Sequence, residues 1–127
     1  NREDSSIKQG LKLIKDINKS GFVSSGNTAA IMILSKLSLG MIEGIERPAI
    51  CSIIPNKKNF SLILDLGANV NSDAKNLFQF ALMGYCYHNI IKPELTPKLA
   101  ILNIGKEQNK GNGNQIFLLL GKYVRFT

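Results

Sequence analysis

Three short polar segments carry the side chains best suited to chemistry. In Ser24-Ser25-Gly26-Asn27-Thr28, a glycine that lets a backbone approach a ligand precedes Asn27 and Thr28, which stand at the start of an apolar helical run. A helix start offers unpaired N–H groups and the positive end of the helix dipole, so this loop suits a phosphate-like anion. Plain N-capping by Ser25 or Asn27 is the commoner reason for such residues at a helix start. In the second segment Asp65 closes a buried apolar run and leads into Gly67, Ala68 and Asn69, which leave room for a ligand. A carboxylate there can bond the neighbouring backbone, orient a substrate or act as a base, or it can hold a turn together with Asn69. The third segment runs from Asn103 through Gly105, Lys106 and Lys110 to Asn112. Its lysines suit phosphate neutralisation, or simple solvation.

Other chemistries are poorly served. There is no Walker A loop, and Gly111-Asn112-Gly113 lacks the third glycine of a dinucleotide fingerprint because Ile116 takes that place. The only histidine, His88, sits in a helix-like stretch and reads as a surface or packing residue; no Ser/His/acid arrangement stands out around it. Cys51 and Cys86 have no metal-type spacing and read as two buried thiols in a reducing, cytoplasmic setting. The net charge of +7 comes from 16 Lys+Arg against 9 Asp+Glu. It fits an acidic protein partner or an anionic surface better than nucleic acid, because the lysines are spread and not interleaved with aromatics. No signal peptide or run of about 20 apolar residues is visible.

The elements that must position these loops follow from periodicity. Ile7, Leu11, Ile14 and Ile17 recur at helical spacing, with Asp4, Ser5 or Ser6 as the cap and Asn18 to Gly21 as a turn. Phe22-Val23-Ser24 is short and β-prone. A second helix puts Ala29, Ala30, Ile33, Leu34 and Leu37 on one face. Ala49 to Ile54 and Leu62-Ile63-Leu64 read as strands, separated by a polar turn at Lys57, Lys58 and Asn59. A third helix spans about Asp73 to Ile91, with Leu77, Phe78, Ala81, Leu82 and Tyr85 as its broad apolar face and Pro93 beyond its end. Leu99 to Ile104 reads as a last buried strand. This alternation predicts an α/β layered domain with a mainly parallel sheet and one antiparallel element around Lys57. The three polar segments then follow the carboxyl ends of strands, the edge where open α/β sheets bind ligands, and are expected to converge on one site.

At these same loops the chain resembles the PlsX-type phosphate acyltransferases. Ser24 to Ala30 resembles that family's Ser-Ala-Gly-Asn-Thr-Gly-Ala segment, Arg47-Pro48-Ala49 its Arg-Pro-Ala, and Leu64 to Val70 its Leu-Asp-Val-Gly-Ala-Asn segment. Leu77 to Gly84 and Leu102-Asn103-Ile104-Gly105 through Lys110-Gly111-Asn112 follow in order and approximate spacing. Ser25 and Ala29 replace the family's Ala and Gly, Asn71 stands where many relatives have Asp, and Lys106 replaces a usual Glu.

The resemblance implies that inorganic phosphate attacks the thioester of acyl-acyl carrier protein to give acyl phosphate for bacterial phospholipid synthesis. It implies no metal or organic cofactor. It implies a three-layer α/β/α sandwich, of which this chain would hold a partial version, a homodimer and a peripheral membrane contact. Asn27, Asp65 and Asn103 are then the candidate catalytic residues. Ser25, Gly26, Thr28, Gly67, Asn69, Gly105, Lys110 and Asn112 are the candidates for binding substrate or phosphate. The likeness covers residues 1–112 as the central part of such a domain and leaves 113–127 as a divergent tail. This extent suggests a truncated or frame-shifted relative or one piece of a split gene. The alternatives are a non-catalytic remnant or interaction module of the same fold and, more remotely, an unrelated basic nucleic-acid-binding domain.

Overall fold

Ser5 begins the first helix as expected of a capping serine: its side-chain oxygen accepts a hydrogen bond from the Lys8 N–H at 3.3 Å, and α1 runs over Ser6–Asp16. In the computed structural model, which describes residues 5–57, 59–69 and 72–102, the chain divides into two units, Asn1–Pro48 and Ala49–Thr127.

The first unit is a pair of packed helices. Alpha 1 buries Leu11, only 2% exposed, and packs against α2, Thr28–Leu39. The last carbonyls of α1 are met by the Ser20 hydroxyl, which donates to Ile14 O at 3.1 Å and to Ile17 O. Gly40 ends α2 at φ +80°, and its N–H donates to Lys36 O. The Phe22-Val23-Ser24 stretch is not a strand. It has no ladder partner among the described residues, and Val23 is 97% exposed. Phe22 instead lays its ring against Gly10 of α1, so closely that a Cβ there would stand 2.6 Å from Phe22 Cδ2. The face of α2 is also rotated from the expected one. Ala30, Ile31 and Leu34 are partly covered, whereas Ile33 and Leu37 are exposed.

The second unit begins with an antiparallel hairpin. Beta 1, Cys51–Pro55, pairs with β2, Phe60–Leu64, in the register Cys51↔Leu64 to Pro55↔Phe60. The turn is closed by Asn56, whose side-chain oxygen accepts from Asn59 N at 2.7 Å. This is the antiparallel element expected around Lys57. Among the described residues the sheet consists of these two strands, and they are antiparallel. Residues 99–102 form no strand, and Leu102 is 98% exposed. Apolar character alone made both segments look like strands, but a strand needs a hydrogen-bonding neighbour to exist.

Asp73 caps α3, Ala74–Ile91, by accepting from Asn76 N at 2.8 Å. Alpha 3 packs on β2, and the approach is close at Gly84: a Cβ there would stand 3.1 Å from Leu64 Cδ1. Phe80, 3% exposed, is the buried apolar centre of this unit, while Leu82 is 43% exposed. The contact face therefore centres on Phe80 and Gly84 and not on Leu82. Glycine carries no hydrophobic signal, yet it is what lets the helix come near. The two cysteines are exposed, which corrects the expectation that they are buried. Among the described residues no helix is long and apolar enough to cross a membrane.

Candidate functional site

The loop ahead of α2 is built from local hydrogen bonds. Ser24 Oγ accepts from Gly26 N at 3.1 Å. Asn27 is extended and caps the helix: its Oδ1 accepts from Ala30 N at 3.0 Å, and its carbonyl accepts from Ile31 N at 3.0 Å. That leaves the N–H groups of Thr28 and Ala29 without an acceptor among the described residues, and both residues are exposed. Two outward N–H groups at the positive end of a twelve-residue helix are a geometry for an anion. Of the two capping candidates the cap is Asn27; Ser25 is exposed on the loop. Gly26 has a packing reason as well, since a Cβ there would lie 3.0 Å from Ile7 Cδ1 of α1.

The second loop is organised by one carboxylate. Asp65 Oδ1 accepts from Ile50 N at 3.1 Å and Ala68 N at 3.2 Å; Oδ2 accepts from Asn69 N and Asn69 Nδ2, both at 2.8 Å. Leu66 N also donates to Ile50 O at 3.2 Å. A carboxylate has about four acceptor sites, and here all are engaged. Asp65 thus binds the loop to the residue that enters β1, and the turn held by Asp65 and Asn69 is the arrangement present. Gly67 lies at φ +74° with open space around it, so the backbone conformation, not crowding, asks for glycine. The Leu64–Asp65 peptide is cis.

Beside this loop, within the second unit, lies a cavity of about 610 Å³. Leu64, Asp65, Asn69, Ser72, Phe80 and His88 are among the residues that line it. His88 stacks at a tilt on Phe60, ring centroids 5.8 Å apart, and its Nδ1 is buried with no hydrogen-bond partner. His88 is thus a packing residue, as its helical setting suggested, but it also presents an unused acceptor or donor. The cavity wall was not foreseen. Its signal is the spacing of Leu77, Phe80, Ala81, Gly84 and His88 at i, i+3, i+4, i+7 and i+11 of one helix.

The structure thus brings together Ser25, Gly26, Asn27 and Thr28 in the first unit, and Asp65, Gly67 and Asn69 in the second. Asn103, Gly105, Lys110 and Asn112 lie outside the described residues. Partial burial pushes the Cys51 thiol pKa up, although the residue as a whole is exposed.

Over residues 1–123 the chain matches the family described as fatty acid synthesis protein. It is similar to proteins named phosphate acyltransferase. That of Dictyoglomus turgidum is 50% identical over 112 residues, which are 87% of this chain and 33% of the relative. That of Wolbachia pipientis is 49% identical over 111 residues, 87% of this chain and 32% of the relative. That of Pelagibacter ubique is 43% identical over 110 residues, again 87% of this chain and 33% of the relative. The chain spans about a third of the length of these relatives.

Proposed function

The chain belongs to this fatty acid synthesis protein family, the PlsX-type phosphate acyltransferases, and on that premise we propose that it carries part of an acyl-acyl carrier protein:phosphate acyltransferase of bacterial phospholipid synthesis. A phosphate oxygen attacks the thioester carbonyl carbon and a tetrahedral oxyanion forms. The C–S bond then breaks, giving acyl phosphate and the carrier protein's thiolate, which takes up a proton. The protein must hold the phosphate, place it against the carbonyl and stabilise the oxyanion.

The observation that carries this reading is the Asn27-capped start of α2, where Thr28 and Ala29 turn unpaired N–H groups outward. Within this proposal these groups, with Ser25 and Gly26, bind the phosphate. Asp65 is a positioning residue that fixes Gly67 and Asn69, because its own oxygens are already engaged. Asn103, Gly105, Lys110 and Asn112 supply the remaining polar groups. The finer features implied by the family belong to the same proposal: a three-layer α/β/α sandwich with a mainly parallel sheet, residues 1–112 as the central part of the domain with 113–127 as a divergent tail, a homodimer, a peripheral membrane contact and a cytoplasmic location.

A second reading, a non-catalytic module of the same fold, draws on the exposed apolar surface. Ile33, Leu37 and Ile42 are 61%, 76% and 75% exposed, whereas Leu11 and Phe80 are the buried hydrophobics among the described residues. Such a surface suits a chain that works together with more polypeptide. The two readings separate in one assay: phosphate-dependent release of free carrier protein from acyl-acyl carrier protein. It is run with this chain alone and with the other two-thirds of a relative supplied separately. Release that needs both phosphate and this chain supports the enzyme. A folded chain that gives none in either mixture leaves the non-catalytic module.

A further inference from the structure

We propose that the Lys8–Lys12–Lys15 face of α1 is the docking surface for an acidic protein that presents carboxylates at helical spacing; this rests on the reading above, in which an acidic carrier protein delivers the acyl group. At 3.6 residues per turn, positions 8, 12 and 15 fall within about 60° of one another around the axis and span roughly 10 Å along it. All three lysines are exposed. None has an ion-pair partner among the described residues. Lys19 follows just past the helix end, and the only acidic residue between Ser6 and Ser20 is Asp16. Beside the stripe the helix is fixed in place by Leu11, which is 2% exposed, and by Ile7 against Gly26, and on its far side by Gly10 against Phe22. The basic stripe is therefore held outward on a rigid element.

The chemistry of the stripe selects the partner. A helix lying in a membrane interface needs a broad free apolar face beside its lysines; here Leu11, next to the stripe, is spent on packing inside the protein, which leaves Leu13 and Ile17, 62% and 57% exposed, too few and too far round the axis from the lysines to form one. Nucleic acid favours a longer track of cations with arginine forks and aromatic platforms, and none of these stands on α1. Three point charges over about 10 Å match carboxylates spaced at i, i+4 and i+7 on a facing helix. Such contacts set association rate and orientation more than raw affinity, and they weaken with salt.

The test is the dissociation constant of the full chain for unacylated acyl carrier protein, read by fluorescence anisotropy at low and high salt. Lys8→Glu/Lys12→Glu is expected to weaken binding about tenfold. The charge-neutral Lys8→Gln/Lys12→Gln, which a helix accepts readily, weakens it less, and Lys57→Glu, an exposed lysine of the hairpin turn, leaves it within about twofold. Circular dichroism confirms that each variant keeps its helices. Equal binding by all variants overturns the docking surface, whatever the phosphate-dependent cleavage assay returns. So does a wild-type chain that ignores carrier protein but binds a DNA duplex or phosphatidylglycerol vesicles through these lysines. A chain that docks carrier protein through the stripe yet never cleaves its thioester supports this surface while defeating the catalytic reading.

Discussion

Asp65 grips Asn69 twice, its Oδ2 accepting from both the backbone N–H and the side-chain amide of Asn69 at 2.8 Å. With Oδ1 reaching Ile50 and Ala68, one carboxylate joins the loop after β2 to the approach to β1. The loop that resembles the family's Asp-x-Gly-Ala-Asn pattern is thus prebuilt, and Gly67 at φ +74° completes it.

Replacing Asp65 by Asn tests that grip. The new amide must set two N–H donors against existing donors, so at least one pair of bonds is lost. A cost of about 2–3 kcal/mol is expected in urea unfolding, with faster hydrogen exchange at Ala68 and Asn69. Unchanged exchange at these two amides contradicts the organising role.

At the other loop, capping and anion binding can be pulled apart. Asn27→Ala removes the bond to Ala30 N and is expected to cost about 1 kcal/mol. Asn27→Asp keeps a cap and gains from the helix dipole, so stability holds or rises, yet its charge repels an anion at Thr28 and Ala29. Phosphate titration followed by NMR at these amides should show binding in the wild-type chain and its loss in Asn27→Asp. Equal shifts in both proteins place the phosphate elsewhere.

Gly10 and Phe22 form a coupled pair. In an isolated helix Gly→Ala adds up to about 1 kcal/mol. Here the added Cβ displaces the Phe22 ring. Gly10→Ala is therefore expected to lose that gain in the presence of Phe22 and to recover it in a Phe22→Ala background. A double-mutant cycle by thermal unfolding reads the coupling directly, and additive effects contradict the contact.

Cys51 gives a pH signature. Desolvation disfavours its thiolate and raises its pKa. Alkylation of Cys51 by iodoacetamide should thus have a pH midpoint above the ordinary thiol value of about 8.5 and should fall back toward it in urea. Because the folded pKa is the higher one, the contribution to stability is complete below the unfolded pKa and is lost as pH rises toward the folded value. A folded midpoint at or below the unfolded one contradicts the burial.

Much of the local structure is readable from residue types. Ser5, Asn27 and Asp73 announce their helices because a short side-chain oxygen is what an open helix start requires. The hairpin around Lys57 follows from two apolar runs with a polar turn between them. The orientation of α2 was not readable: Thr28–Leu39 is apolar almost all round, so its period does not choose a face. Phe22-Val23-Ser24 and 99–102 have strand-like composition, but pairing depends on partners distant in sequence. The turn of Asp65 with Asn69 is local and legible. Its bond to Ile50, fifteen residues earlier, is not. Nor was the cavity wall, because Gly84 and His88 do not look like members of an apolar stripe.

If this chain carries phosphate-binding and acyl-transfer parts of the family's site, it should work in place of the matching segment of a relative. The most direct measurement replaces the matching third of a relative's phosphate acyltransferase with this chain and follows acyl phosphate formation from acyl-acyl carrier protein by 31P NMR. The expected result is phosphate-dependent product from the chimera and its loss on Asn27→Asp, with the fold retained. A folded chimera that makes no acyl phosphate, or one that makes it equally well with Asn27→Asp, contradicts the claim.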